Sequence, residues 1–215
     1  MAVVSQPGNR TADVKQPGKL DDKLGEFWVG NPWAIVGREH NLSSFERNRM
    51  YLNVGGTEFA EVSGISGADS DGDGRSAVAA DFRNCGRPDL IVRQVGGGPL
   101  ALYENQFPRR HYLTVSLRGV ESNRRGIGAR LTAEVGGRKI VRELFPANTY
   151  MSQAPAQVLF GLADETRVDR LTVRWPSGKV QVLTDLAADR HVVIDESKAA
   201  AEAAETVTPG APPRP

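Results

Sequence analysis

The sequence predicts an all-β fold on three observations. Apolar and polar residues alternate over several short runs, turn residues punctuate the chain between those runs, and no long apolar stripe of period 3.6 interrupts them. Several short strands at this spacing pack as a sandwich or a barrel.

The elements follow in chain order. Residues 1–26, rich in Gly, Pro, Asp, Lys and Gln and without period, read as a disordered lead-in. Asn48–Asn53, Gly56–Phe59, Ala77–Phe82, Asp89–Val92 and Pro99–Asn105 are short strands separated by Gly- and Asp-rich loops, and a boundary falls near Phe107-Pro-Arg-Arg110. Beyond it, Leu113, Val115 and Leu117 alternate with Thr114, Ser116 and Arg118, which makes a half-buried strand. Leu171, Val173 and Trp175 repeat the pattern, and Lys179–Leu183 and His191–Asp195 do so more weakly. Trp175-Pro-Ser-Gly178 carries Pro second and Gly fourth, type I turn chemistry, so 170–184 is a hairpin.

A second hairpin follows from register. A two-residue turn at Gly136-Gly137 sets Val135 opposite Arg138, Glu134 opposite Lys139, Ala133 opposite Ile140 and Arg130 opposite Glu143. Opposite charges then face each other, each pair contributing about 0.2–1 kcal/mol. From Ser197 an Ala/Glu stretch with nascent helical character leads into a Pro-rich tail, so 197–215 reads as disordered.

Composition bounds the function. The 215 residues carry 27 Lys and Arg against 26 Asp and Glu, a formal charge of +1, which gives no global pull toward nucleic acid or anionic membrane. The single cysteine, Cys85, rules out an intramolecular disulfide, and no apolar run reaches membrane-spanning length. The start, Met-Ala-Val-Val-Ser-Gln-Pro-Gly-Asn-Arg, lacks a basic n-region and an apolar h-region. Nine Arg or Lys against three Glu between Arg109 and Glu143 make a local basic stretch. Without interleaved aromatic residues it reads as a solvated, pairing face rather than a nucleic-acid footprint.

Two acidic loops carry the metal chemistry. Asp69, Asp71 and Asp73 stand at every second position before Gly74, a spacing that wraps oxygens around a hard cation such as Ca²⁺. The EF-hand is excluded, because its ninth and twelfth positions counted from Asp69 are Ala77 and Ala80. Either a cation or Arg75 balances this turn. The second loop, Asp81-Phe-Arg83-Asn-Cys85-Gly86-Arg-Pro-Asp89, has acids at its first and ninth positions and Gly at its sixth.

On those residues Asn48–Asn105 resembles an FG-GAP or VCBS-type repeat, the blade of integrin-like β-propellers, whose calcium loop reads Asp-x-Asn/Asp-x-Asp-Gly-x-x-Asp. Tyr112 to about Glu196 is similar to the ASPIC/UnbV domain that follows such repeats in cartilage acidic protein-like proteins. That match rests on Ser122-Asn-Arg-Arg-Gly-Ile-Gly-Ala-Arg130, Tyr150-Met-Ser-Gln153, Phe160-Gly-Leu162 and Val173-Arg-Trp-Pro-Ser-Gly178. The resemblance implies a propeller-blade-like antiparallel sheet over 27–107, a small β-sandwich over 110–196 and disordered termini. It also implies a non-enzymatic protein of the surface or envelope that binds proteins or glycans, with Arg124, Arg125, Tyr150 and Gln153 as candidate binding residues. Arg83 and Cys85 stand where the repeat places oxygen ligands, so Asp81 and Asp89 form a degenerate loop in which Arg83 is expected to replace the ion as internal counter-charge.

A single blade cannot bury its faces alone, which implies self-association or a partner supplying further blades. No catalytic motif is present: His40, His111 and His191 are scattered. An enzyme, accessory to biosynthesis by analogy with UnbV, would need a pocket where His, Cys85 and carboxylates converge. A structural fragment would expose an apolar blade edge.

Overall fold

A computed structural model describes residues 2–4, 27–29, 47–70, 74–94, 100–146, 152–199 and 204–207. Among these, fifteen strands and one four-residue helix make the chain all-β, as the alternation predicts. No helix among the described residues is long and apolar enough to cross a membrane. The chain divides into two compact units: Met1–Ala77 with Ile91–Tyr103, and Val78–Leu90 with Glu104–Pro215.

In the first unit β1 (Ala2–Val4) pairs antiparallel with β2 (Phe27–Val29). The next pair, β3 (Tyr51–Val54) and β4 (Glu58–Glu61), form a hairpin whose turn places Gly55 and Gly56 at φ 67° and 85°, with Asn53 Oδ1 accepting the Gly56 N–H at 2.8 Å. A short α1 (Ser63–Ser66) ends on Gly67 in the left-handed region. A three-stranded sheet runs in the order β5 (Gly74–Ala80), β6 (Asp89–Gln94) and β7 (Ala101–Tyr103), of which the first unit holds Gly74–Ala77, Ile91–Gln94 and β7. The unit leaves large apolar side chains in water. Phe59, Ile65, Leu100 and Leu102 are 61 % exposed or more, and Tyr51 and Val54 about half exposed.

The second unit contains a two-sheet sandwich. Its strands are β8 (His111–Arg118), β9 (Arg130–Val135), β10 (Arg138–Glu143), β11 (Gln157–Ala163), β12 (Arg167–Arg174), β13 (Val180–Ala187), β14 (Arg190–Asp195) and β15 (Ala204–Val207). One sheet runs β10-β9-β12-β13 and the other β11-β8-β14-β15, with only β14 and β8 parallel. Inward residues of both sheets, among them Leu113, Val115, Leu131, Ala133, Phe160, Leu171, Val173, Trp175 and Ile194, make one dry core.

Both predicted hairpins form, the first in the predicted register. Val135 pairs with Arg138, Glu134 with Lys139, Ala133 with Ile140 and Arg130 with Glu143, around Gly136 and Gly137 at φ 52° and 77°, the double positive φ of a type I′ turn. In the second, Gly178 N–H donates to Trp175 O at 3.0 Å and Gly178 has φ 93°, a type I turn closed by a left-handed residue.

That three-residue loop sets the register of β13 against its own hydrophobicity. Gln181 lies opposite Val173 and is buried, whereas Val180 and Val182 face water. The carboxamide meets its needs inside: Oε1 accepts Trp175 Nε1–H at 2.6 Å, and Nε2 donates to the carbonyls of Asp195 and Lys198 at 3.0 and 2.9 Å. At the C-terminal end Ala204–Val207 pair antiparallel with β14, a strand where the Ala/Glu stretch suggests helix. Ala-Glu-Thr-Val alternates, and β14 offers it an unpaired edge.

Candidate functional site

The loop between β5 and β6 lies within the second unit and is closed by its own groups. Asp81 accepts the backbone N–H of Cys85 on Oδ1 at 3.1 Å and that of Gly86 on Oδ2 at 2.6 Å. Asp89, only 4 % exposed, accepts Arg83 Nη2 and the Asn105 N–H on Oδ1, both at 2.9 Å. Arg83 also pairs with Glu104. Burial by itself would lower the Arg83 pKa, but the charges of Asp89 and Glu104 prevail and raise it. Gly86 sits at φ 76° against the Tyr112 ring, with no room for a Cβ, and Tyr112 Oη donates to Asn84 O at 2.8 Å.

These contacts test whether a cation fits. A calcium shell takes six to eight oxygens. Here both Asp81 oxygens already accept N–H groups, and a guanidinium sits on Asp89, so this donor set does not fit a dication. Among the described residues no three His, Cys, Asp or Glu side chains are placed to hold a metal ion. At the other acidic loop Asp69 Oδ2 accepts Arg47 Nη2 at 2.7 Å, while Asp71 and Asp73 lie outside the described residues.

Beside the loop opens a cleft of about 610 Å³, lined by Arg83, Cys85, Arg109, His111, Asp164 and Asp189 among others. His111 Nδ1 lies 2.6 Å from Asp189 Oδ2, and Cys85 Sγ donates to Asp81 Oδ1 at 3.7 Å. The cleft thus gathers thiol, imidazole and carboxylates, yet among the described residues no hydrogen bond joins Cys85 to His111.

At one end of the sandwich the two longest motifs converge on a carboxylate. Glu196, 1 % exposed, accepts on Oε2 the N–H groups of Val120, Glu121 and Ser122 at 2.6, 2.9 and 2.9 Å, and on Oε1 the hydroxyls of Ser122 and Ser177, each at 2.7 Å. Burial would raise its pKa, but the hydrogen bonds from Ser177, Ser122 and Val120 prevail and lower it to about 2. The loop above is closed by Asn123, whose Oδ1 accepts the Ile127 N–H at 2.9 Å and whose Nδ2 donates to Ile127 O at 2.7 Å.

Residues 119–201 match the family model described as ASPIC and UnbV. The ASPIC/UnbV domain therefore contains the whole Glu196 node, from the Val120–Ser122 amides to Ser177. A comparison with curated proteins found no match to the chain. Of the predicted binding residues, Arg124 and Arg125 are exposed on the 119–129 loop, Gln153 is exposed elsewhere in the ASPIC/UnbV domain, and Tyr150 lies outside the described residues.

Sequence reasoning passed over Glu196 and Gln181. A signal existed for the first: Val192 and Ile194 face inward, and Glu196 continues that even-numbered face.

Proposed function

We propose that the chain is a non-enzymatic interaction module in which the ASPIC/UnbV domain anchors an FG-GAP- or VCBS-like β region that docks, through apolar strand faces, on another β-sheet protein or a second copy. The exposure of Tyr51, Val54, Phe59, Ile65, Leu100 and Leu102 carries this reading. Large apolar side chains left in water mark a contact site, and a hairpin with both faces in water lacks the burial that stabilises a sheet. The module works without calcium at 81–89, because Arg83 balances Asp89 where the repeat would hold an ion.

Fluorescence of a hydrophobic dye on the folded chain tests the docking surface. Saturable enhancement that falls by more than half in Phe59→Ser/Leu102→Ser, with the unfolding of the ASPIC/UnbV domain unmoved, is expected. No enhancement, or an enhancement indifferent to both substitutions, overturns it.

The cleft that gathers Cys85, His111 and Asp189 favours a second reading, an accessory enzyme with a thiol nucleophile. Alkylation of Cys85 followed against pH decides it. A midpoint well below the free-thiol value of about 8.5 supports a thiolate paired with the imidazole. A rate that titrates as a free thiol removes the reading.

A further inference from the structure

The sheet β10-β9-β12-β13 lies wholly within the second unit, and its inner face is closed by the core. Its outer face carries three rows of side chains that register across the strands. In the middle row Val141, Thr132, Thr172 and Val182 are neighbours in turn, the two valines being 40 and 41 % exposed. On one side of it the charges neutralise each other, because Glu134 lies 3.7 Å from Lys139 Nζ and 3.9 Å from Arg170 Nε.

The row on the other side is not balanced. Arg130 and Arg174, both exposed, stand directly opposite each other on β9 and β12, with Glu143 beyond Arg130 and the exposed Val180 beyond Arg174. Side chains so placed are about 5 Å apart at Cβ, and like charges there repel. Among the described residues no ion pair reaches either guanidinium, although Glu143 is the register partner of Arg130. The loop that leads into β9 adds Arg124 and Arg125, exposed and likewise without an ion pair, against one exposed acid, Glu121. Across the three rows four cations face two acids. The fold gains nothing from two arginines held in register, so the pair calls for an anion from outside.

We infer that this outer face docks an acidic polypeptide segment of a partner, with its carboxylates over Arg130 and Arg174 and its apolar side chains over Thr172, Val180 and Val182. A carboxylate set between the two guanidiniums turns their repulsion into charge-assisted hydrogen bonds. The valines beside them lose water in the same contact, and their stiff β-branched side chains forfeit little rotamer freedom. An acidic glycan would meet the arginines and leave the valines in water, and a single-stranded nucleic acid would ask for an aromatic platform that this face lacks. The surface shares no residue with the apolar side chains at 51–65 and 100–102, so it stands or falls independently of the docking proposed for the first unit.

Calorimetric titration of the full chain with a soluble copolymer of glutamate and tyrosine, with backbone amide NMR to map the contact, tests it. Binding should saturate, and the affected amides should cluster at 130–132, 172–174 and 180–182. Plain polyglutamate, which lacks the apolar side chains, should bind severalfold more weakly, as should the copolymer to Val182→Ser. Arg174→Glu sets opposite charges in register with Arg130, so it should weaken the copolymer about tenfold while its Tm stays equal to that of the wild type or rises. Arg167→Glu makes the same change of charge at the other end of β12, where Arg167 meets Asp185 at 2.8 Å, and should leave the affinity nearly unchanged. Absence of saturable binding, an equal effect of Arg174→Glu and Arg167→Glu, a lower Tm in Arg174→Glu, or tighter binding of heparin or of phosphatidylserine vesicles at matched charge overturns the inference.

Discussion

Ser122 and Ser177, 55 residues apart in sequence, donate their hydroxyls to the same oxygen, Oε1 of Glu196, each at 2.7 Å. A second bond, from the Ser177 N–H to Ser122 Oγ at 3.1 Å, locks the two loops together. The carboxylate thereby acts as a tie across one end of the sandwich.

Glu196→Gln should destabilise the domain by about 2–4 kcal/mol, because one charged acceptor serves three amides and two hydroxyls. The same depressed pKa fixes a pH window. Stability from this group is fully present above its ordinary value of 4.5 and is lost as pH falls toward about 2. Urea unfolding at pH 7 and pH 3 checks both statements, since the gap between wild type and variant should narrow at the lower pH.

His191 defines a different window. Burial lowers its pKa below the ordinary 6.5, and Nε2 lies 2.8 Å from Ser116 Oγ. The folded state thus binds the proton less readily than the unfolded chain, so stability is held above pH 6.5 and declines as pH falls below it. The wild-type urea midpoint should drop between pH 7.5 and 5.5, and His191→Asn should flatten that drop.

Gln181→Leu replaces a polar residue by an apolar one at a buried position, yet it should cost about 2–4 kcal/mol. It strands the Trp175 Nε1–H and two carbonyls that the carboxamide serves. Chemical unfolding followed by Trp fluorescence measures the loss.

Two neighbouring glycines separate crowding from backbone strain. A Cβ on Gly126, at φ 63°, would fall 2.8 Å from Leu117 Cβ and 3.2 Å from the Trp175 ring, whereas one on Gly128, at φ 94°, meets only Pro176 Cγ at 3.6 Å. Gly128→Ala should cost about 1 kcal/mol from strain alone. Gly126→Ala should cost clearly more, as read from the two Tm values.

Local pattern made much of the sandwich legible. The charge pairs around Gly136-Gly137 specify the register of that hairpin without tertiary information, and the Pro-Ser-Gly turn after Trp175 marks the second hairpin, both of which form. Gln181 defeats the same reasoning, because its inward position comes from loop length while Val180 and Val182 mislead by composition. The convergence on Glu196 joins segments 74 to 76 residues apart, a distance no local period reports. At the acidic loop the substitution of Arg83 was readable, but its second carboxylate, Glu104, lies 21 residues away and carried no local signal.

The central claim is that loop 81–89 is closed by the Arg83 guanidinium rather than by a cation. Thermal unfolding of the full chain in millimolar calcium and in EDTA tests it most directly, because an ion bound only by the folded state raises Tm. The account predicts no shift that depends on this loop, so any calcium response should persist in both Asp81→Asn and Asp89→Asn. A calcium-induced rise in Tm that disappears in either variant would contradict it.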